Sequence, residues 1–340
     1  MGIFNHGMSK KTATLVLSMD YELFFGDSGS VEKCLLEPTS EILNFASRLG
    51  CKITFFVDAG MLLKMDEYSS RDSRLHRELE AIKRNIESIA TQGHEIGLHV
   101  HPHWADSTWT GSAWDFANTR YSLREFSETE ISQIISSQAE ALMDVSGTQP
   151  TSYRAGGFCF QPFSKIAPAL QDAGITIDSS VVPGMSLRGA RKGFDFSSAP
   201  DLDRWRFDVD PLVPTKGGSF VEIPVSAVRL PLFYYWARLA ARAAGRSVAR
   251  SFGDGKSVGI SRYEAVRRLF GGRSLSELSV DAAKAPILGT KLTSMNDSEY
   301  WHIMGHPKLV SRQSLGYLRT FVENNRIDAF STVRSAALDQ

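Results

Sequence analysis

The sequence predicts an α/β protein built on a parallel sheet. Two patterns carry that prediction. From residue 13 to about residue 180, short β-rich runs alternate with longer helical patterns that stop at glycines. The carboxylates and imidazoles with the clearest chemistry also fall where those runs end. Strand, helix, glycine stop, strand is the order of βαβ units, and both a barrel and a doubly wound sheet fit it.

Taken in order, TLVLSMDYE (14–22) reads as a buried strand, followed by a helix from Ser40 to Arg48 closed by Gly50. KITFFV (52–57) is a second strand, and a long charged segment then runs to Gln92 before Gly93. HEIGLHV (94–100) is a third. Ser127 and Glu130 form a capping box for a helix to Val145, closed by Gly147. SYRAGG and ITIDSS bracket a further helix ending at Gly174. After Pro183 the regularity fades, and 185–220 read as long loops before the strand FVEIPVS (220–226). A late strand at YWHIMGHP (300–307), a helix near Gln313–Glu323 and a strand near Ile327–Thr332 complete the pattern. No repeat of fixed period is present.

A chain of 340 residues admits two domains or one α/β barrel. Lys plus Arg and Asp plus Glu both number 38, so no global charge draws the chain to a phosphate backbone, and no nucleic-acid partner is expected. At 42% hydrophobic and 22% charged, the composition excludes wholesale disorder. No apolar run reaches the ~18 residues of a membrane span. TLVLSM is too short for a signal h-region, which makes the expected location cytoplasmic. Cys34, Cys51 and Cys159 match no CxxC pair, so they read as small buried hydrophobes.

In SMDYELF, alternation along the strand sends Asp20 and Glu22 to one face. The carboxyl end of a parallel strand is where α/β proteins place their sites, although the pair alone reads equally well as an acidic loop. HEIGLHVHPHW is more informative: His94, His99, His101 and His103 are four of the eight histidines in the chain. His99 and His103 are four apart, as a turn or helical start requires of two ligands, and His99 and His101 would also converge if the strand continued. Imidazoles with a carboxylate suit Zn2+, or Co2+, Ni2+ or Mn2+, with a position open for water. Arg154 follows one strand and Asp178 ends another. Each alone reads first as a structural ion pair. His306 ends a late strand, where an imidazole suits a general acid. His302 is expected at the opposite end of the barrel.

Acid pair, HxxxH, Arg, Asp and finally His, in this order, resemble the polysaccharide deacetylases, the NodB-homology enzymes of carbohydrate esterase family four. HEIGLHVHPH is similar to that family's HEIG-x-H-x-x-x-H segment, and the likeness covers roughly residues 13–185 and the surroundings of His306. The resemblance implies a distorted (β/α) barrel with fewer than eight units. A single catalytic domain would span 1–340, with its core at 13–226 and 298–335 and a helical and loop insertion at about 227–297. It implies one divalent metal held by Glu22, His99 and His103, with Asp20 as general base oriented by Arg154 and His306 as general acid tuned by Asp178. The departure is Tyr21, which stands where the family usually has a second aspartate, so Glu22 takes the ligand's place. The implied reaction removes an N-acetyl or similar acyl group from an amino sugar, a precursor of a surface polysaccharide linked to nucleotide or lipid.

The rival readings are an amide or imide hydrolase acting on a small non-sugar substrate, a metal amidohydrolase using HVH, and an inactive sugar-binding relative. Trp104, Trp109 and Trp114 either stack on a sugar or pack their loop. In 230–250, aromatics precede Arg238, Arg242, Arg246 and Arg250 at four-residue steps. This pattern is expected either to lie on a membrane surface or to pack over the barrel mouth.

Overall fold

The structure is a computed structural model and describes residues 13–117, 119–187, 193–230, 234, 236, 240, 250–258, 274–290, 300–325 and 327–338. The basic and aromatic segment 230–250 lies almost wholly outside them.

Strand β1 (Ala13–Tyr21) is the axis of the main sheet. After it come helix α1 (Glu37–Leu49), β2 (Thr54–Asp58), α2 (Ala59–Ser69), α3 (Ser73–Thr91), β3 (Glu95–Val100), α4 (Glu128–Ser146), β4 (Ser152–Ala155), α5 (Ala167–Asp172) and β5 (Ile177–Asp178). Next are β6 (Trp205–Phe207), β7 (Phe220–Glu222), β8 (Ala227–Leu230), β9 (Ser274–Glu277), β10 (Tyr300–Gly305), α6 (Arg312–Asn324) and β11 (Ile327–Ser331). The sheet runs β6-β7-β5-β4-β3-β2-β1-β10, parallel throughout except at the β6–β7 edge. One edge of β1 is shared: β11 pairs with Ala13–Val16 and β2 with Ser18–Tyr21. That splay makes the barrel irregular.

The loop elements follow from local chemistry. The Ser127 side chain accepts from the Glu130 N–H, and a Glu130 carboxylate oxygen accepts from the Ser127 N–H at 2.8 Å, so two of α4's open donors are satisfied. Gly147 ends α4 at φ 70°, a left-handed conformation that glycine adopts without a Cβ clash. The charged segment before Gly93 forms α2 and α3, and Asp72 starts α3 by accepting from the N–H groups of Arg74 and Leu75.

Alternation along β1 sorts the core. Leu15, Leu17, Met19 and Tyr21 face the helices, while Val16 packs inside the barrel with Phe56, Ile177, Val221 and Ile223. Ser18 and Asp20 continue that inner face. Between β7 and β10 the wall is completed by irregular chain. The Ser226 N–H donates to the His302 carbonyl at 3.1 Å, and the Leu278 N–H to the Ser226 carbonyl at 2.7 Å. The Val280 N–H donates to the Met304 carbonyl at 2.9 Å. Part of the segment expected as an insertion therefore returns to the wall beside β10.

Candidate active site

Strand ends on the inner face bring the acids and imidazoles together. Asp20 Oδ1 accepts from Arg154 Nη1 at 2.8 Å, and its Oδ2 faces His99 Nε2 at 3.9 Å and His306 Nε2 at 3.8 Å. Arg154 is fully buried and saturated: Nε donates to the Ser179 carbonyl at 2.8 Å, Nη2 to Ser179 Oγ at 2.9 Å and Nη1 also to Ser18 Oγ at 2.8 Å. Such a guanidinium holds one orientation, so it fixes the carboxylate it grips.

His302 lies within this network and not at the far end of the barrel. Its Nδ1–H donates to the Pro224 carbonyl at 3.1 Å, and Nε2 accepts from Ser18 Oγ at 2.8 Å. In register with Val16, it lies on the inner face below Asp20 and His306, with the Ser18 level between them. Burial, and then the Arg154 charge, hold its imidazole well below the usual range, in the neutral form.

Glu22, His99 and His101 present one ligand atom each within 4.8 Å of one another, all buried. His99 Nδ1–H donates to the Arg154 carbonyl at 2.8 Å, which leaves the Nε2 lone pair facing Glu22 Oε2 at 3.3 Å. Glu22 Oε2 and His101 Nε2 lie 2.5 Å apart, yet neither makes a hydrogen bond. A buried carboxylate oxygen and an imidazole nitrogen this close with no hydrogen bond between them are what a shared cation would bridge, so the donor set fits a divalent metal. Burial pulls His101 down to about 4, so it is neutral. His99 is lowered by burial, but the opposing charges of Asp20 and Glu22 outweigh this and raise it. Burial works against a charged Glu22, yet the Lys308 charge foremost outweighs it and holds the carboxyl well below its usual range.

The sequence expectation put His103 in this group, and the structure puts His101 there. The chain stays extended at His101 (φ −107°, ψ 94°), so His99 and His101 share a face. Pro102 then opens a short 3-10 turn that takes His103 off that face; its ring stays 5.3 Å from that of His101, stacks on Tyr121 at 5.9 Å and meets the Phe25 ring edge-on at 4.4 Å.

Behind His306 the expected carboxylate was Asp178, and here too the structure differs. Asp281 Oδ2 accepts from His306 Nδ1–H at 3.0 Å, and Oδ1 from the His306 backbone N–H at 2.8 Å. Asp178 is in register with Tyr153, on the face opposite Arg154, where its Oδ1 accepts from Ser180 Oγ at 2.7 Å. Its register neighbour Glu222 is pushed well above its usual range by burial and by the Asp178 charge. Burial lowers His306, but Asp281 foremost, with Asp20 and Glu22, outweighs it and brings the imidazole to about 9.

Three further groups meet this centre. Asp281 lies in irregular chain that no periodicity marks. Lys308 follows His306 by two residues, and Asp58 ends β2 as Asp20 approaches the end of β1, a signal the sequence did carry. Burial pushes the Asp58 carboxyl up to about 7, and Trp104 Nε1–H donates to its Oδ2 at 2.6 Å. The tryptophans pack their loop: Trp109 Nε1–H donates to Asp72 at 2.8 Å, and Trp114 stands edge-on to Trp104 at 5.1 Å.

The fold and these side chains define an α/β barrel with a carboxylate–histidine centre at the carboxyl ends of its strands. No family model and no curated protein matches the sequence. Solved structures do match. A Mycobacterium smegmatis protein assigned as a polysaccharide deacetylase is 18% identical, with a TM-score of 0.50 over 97% of this chain and 91% of its own. A peptidoglycan N-acetylglucosamine deacetylase is 12% identical over 97% and 90%, at 0.42. A Bacillus anthracis pseudoenzyme of carbohydrate esterase family four is 9% identical over 96% and 66%, at 0.41. The chain has the NodB-homology fold of the polysaccharide deacetylases and family-four carbohydrate esterases.

Proposed function

We propose that the protein is a metal-dependent hydrolase that removes an N-acetyl or similar acyl group from an amino sugar. The observation carrying this reading is that Asp20 and His306, 3.8 Å apart, stand beside the Glu22–His99–His101 group. A divalent ion held by those three, zinc foremost for two imidazoles and a carboxylate, would polarise the amide carbonyl and acidify water.

The protein's own groups divide the proton work. Asp20, held by Arg154, takes the proton from the attacking water as the new C–O bond forms. His306, oriented by Asp281, gives its proton to the nitrogen as the C–N bond breaks, releasing carboxylic acid and amine. An amine leaves poorly unless protonated, so a separate acid is needed, and each transfer contributes about 10²–10⁴-fold. The substrate class is an N-acylated amino sugar, and a nucleotide- or lipid-linked precursor of a surface polysaccharide is the form we infer.

The test pairs elemental analysis with turnover of N-acetylated amino sugars, in the wild type and in Glu22→Ala, His99→Ala, His101→Ala and His103→Ala. We expect about one divalent ion per chain in the wild type and in His103→Ala, and loss of the ion and of turnover in the other three. A wild type that takes up no metal, or a His101→Ala that keeps it, would overturn this assignment.

A further inference from the structure

Lys308 is a buried cation in contact with a proposed metal ligand, and the chemistry above does not use it. It lies on the short 3-10 turn Pro307–Leu309 after β10, only 4% exposed. Its Nζ donates to Glu22 Oε1 at 2.9 Å and to the Leu23 carbonyl at 2.5 Å, above the rings of Phe24 and Phe25 at 4.8 and 5.1 Å. The backbone of Lys308 is also pinned, since the Gly253 N–H donates to its carbonyl at 2.9 Å. The ammonium is thus held at a fixed place and aimed at one oxygen of one carboxylate.

The two oxygens of Glu22 therefore face different partners. Oε1 accepts from Lys308 at 2.9 Å, with His306 Nε2 further off at 3.6 Å, while Oε2 points at His99 Nε2 and His101 Nε2 at 3.3 and 2.5 Å. We propose that Lys308 is a positioning residue that reserves Oε1, so that Glu22 offers the metal a single oxygen and the ion keeps positions open for water and the substrate carbonyl. The inference rests on the metal centre proposed above. Catalytic centres differ from structural ones in keeping such an open position, and a carboxylate free to bind through both oxygens would fill it. A purely structural lysine would hold the fold and leave the ion's coordination alone.

The role has a distinctive sign. Removing Lys308 takes a positive charge away from a divalent ion and frees a second ligand oxygen, so the metal should bind more tightly while turnover falls. Metal-free protein loaded with Co2+ tests this through its visible d–d spectrum and its dissociation constant, neither of which depends on turnover. In Lys308→Met we expect weaker d–d bands, as coordination number rises, a severalfold lower Kd and a lower kcat. Lys308→Arg serves if the methionine variant does not fold. The planar guanidinium fork grips both oxygens of a carboxylate, so this variant should bind Co2+ at least severalfold more weakly. Wild-type protein that takes up no cobalt would refute the metal centre and this inference together. Wild-type protein that binds cobalt, with the spectrum and Kd unchanged in Lys308→Met, or in Lys308→Arg if that variant carries the test, would refute the role of Lys308 alone.

Discussion

Asp281 holds His306 through two contacts at once, one from the imidazole Nδ1–H at 3.0 Å and one from the backbone N–H at 2.8 Å. The double grip fixes the ring's orientation, with Nε2 3.8 Å from Asp20 Oδ2 and 3.6 Å from Glu22 Oε1. It also supplies the leading charge that raises the imidazole to about 9 against the pull of burial.

Asp281→Asn keeps the shape and removes the charge. In its proposed role as general acid His306 must be protonated, so activity is expected to be lost as pH rises through its pKa. Removing the charge lowers that pKa, and the alkaline limb of kcat/KM should move to lower pH. His306→Ala should lose the limb altogether, with kcat down about 10²–10⁴-fold. An alkaline limb that stays in place in Asp281→Asn would show that another group carries it.

The strands and their inner faces were legible because alternation is local. Asp20, Glu22 and His99 could be placed from the pattern of the runs that carry them, whereas Arg154 was tied to Asp20 only by the family resemblance. The partner of His306 could not, since Asp281 sits in chain without periodicity, brought beside β10 by the backbone bonds of Leu278 and Val280. Asp178 was a plausible substitute by order along the chain, but a two-residue strand gives too little alternation to say which face it takes. The histidine run was ambiguous in the sequence because a turn and a continued strand pair different members, and Pro102 decides between them.

Gly156 sits where His101 needs room. A Cβ there would meet His101 Nδ1 and Cε1 at 2.6 Å and the Val100 carbonyl oxygen at 2.8 Å. The imidazole can shift, but a backbone carbonyl in a strand cannot readily follow. Gly156→Ala should therefore destabilise the fold by about 1–3 kcal/mol and weaken metal binding by displacing a ligand. Calorimetric titration with Zn2+ at matched folded fraction checks the second effect, and an unchanged affinity would argue against His101 as a ligand.

Asp58 depends on one donor among the described residues. Its Oδ1 has no hydrogen-bond partner and its Oδ2 accepts from Trp104 Nε1–H at 2.6 Å, in a fully buried setting. Trp104→Phe removes that donor and leaves the carboxyl without a partner, which should cost about 1–3 kcal/mol. Urea unfolding at neutral pH measures it. A loss within about 0.5 kcal/mol, the range of a surface substitution, would mean that the pair contributes little.

His94 gives a prediction about acid stability that is independent of the proposed catalytic centre. Its Nδ1 accepts the Ile53 backbone N–H at 3.0 Å, so that nitrogen must stay unprotonated in the native state. Burial first, and then the Lys52 charge, bring the imidazole down from 6.5 to about 4. Between those values an unfolded chain takes up a proton that the native chain refuses. Native stability from this group is therefore complete above the unfolded pKa and declines as pH falls from 6.5 towards 4, with no further loss below that. Gln in its place can accept the same N–H without titrating, so His94→Gln should flatten the decline over that window while the carboxylate contributions, common to both proteins, cancel. Chemical denaturation at intervals across the window measures both slopes, and parallel slopes would mean that His94 titrates alike in the native and unfolded chains.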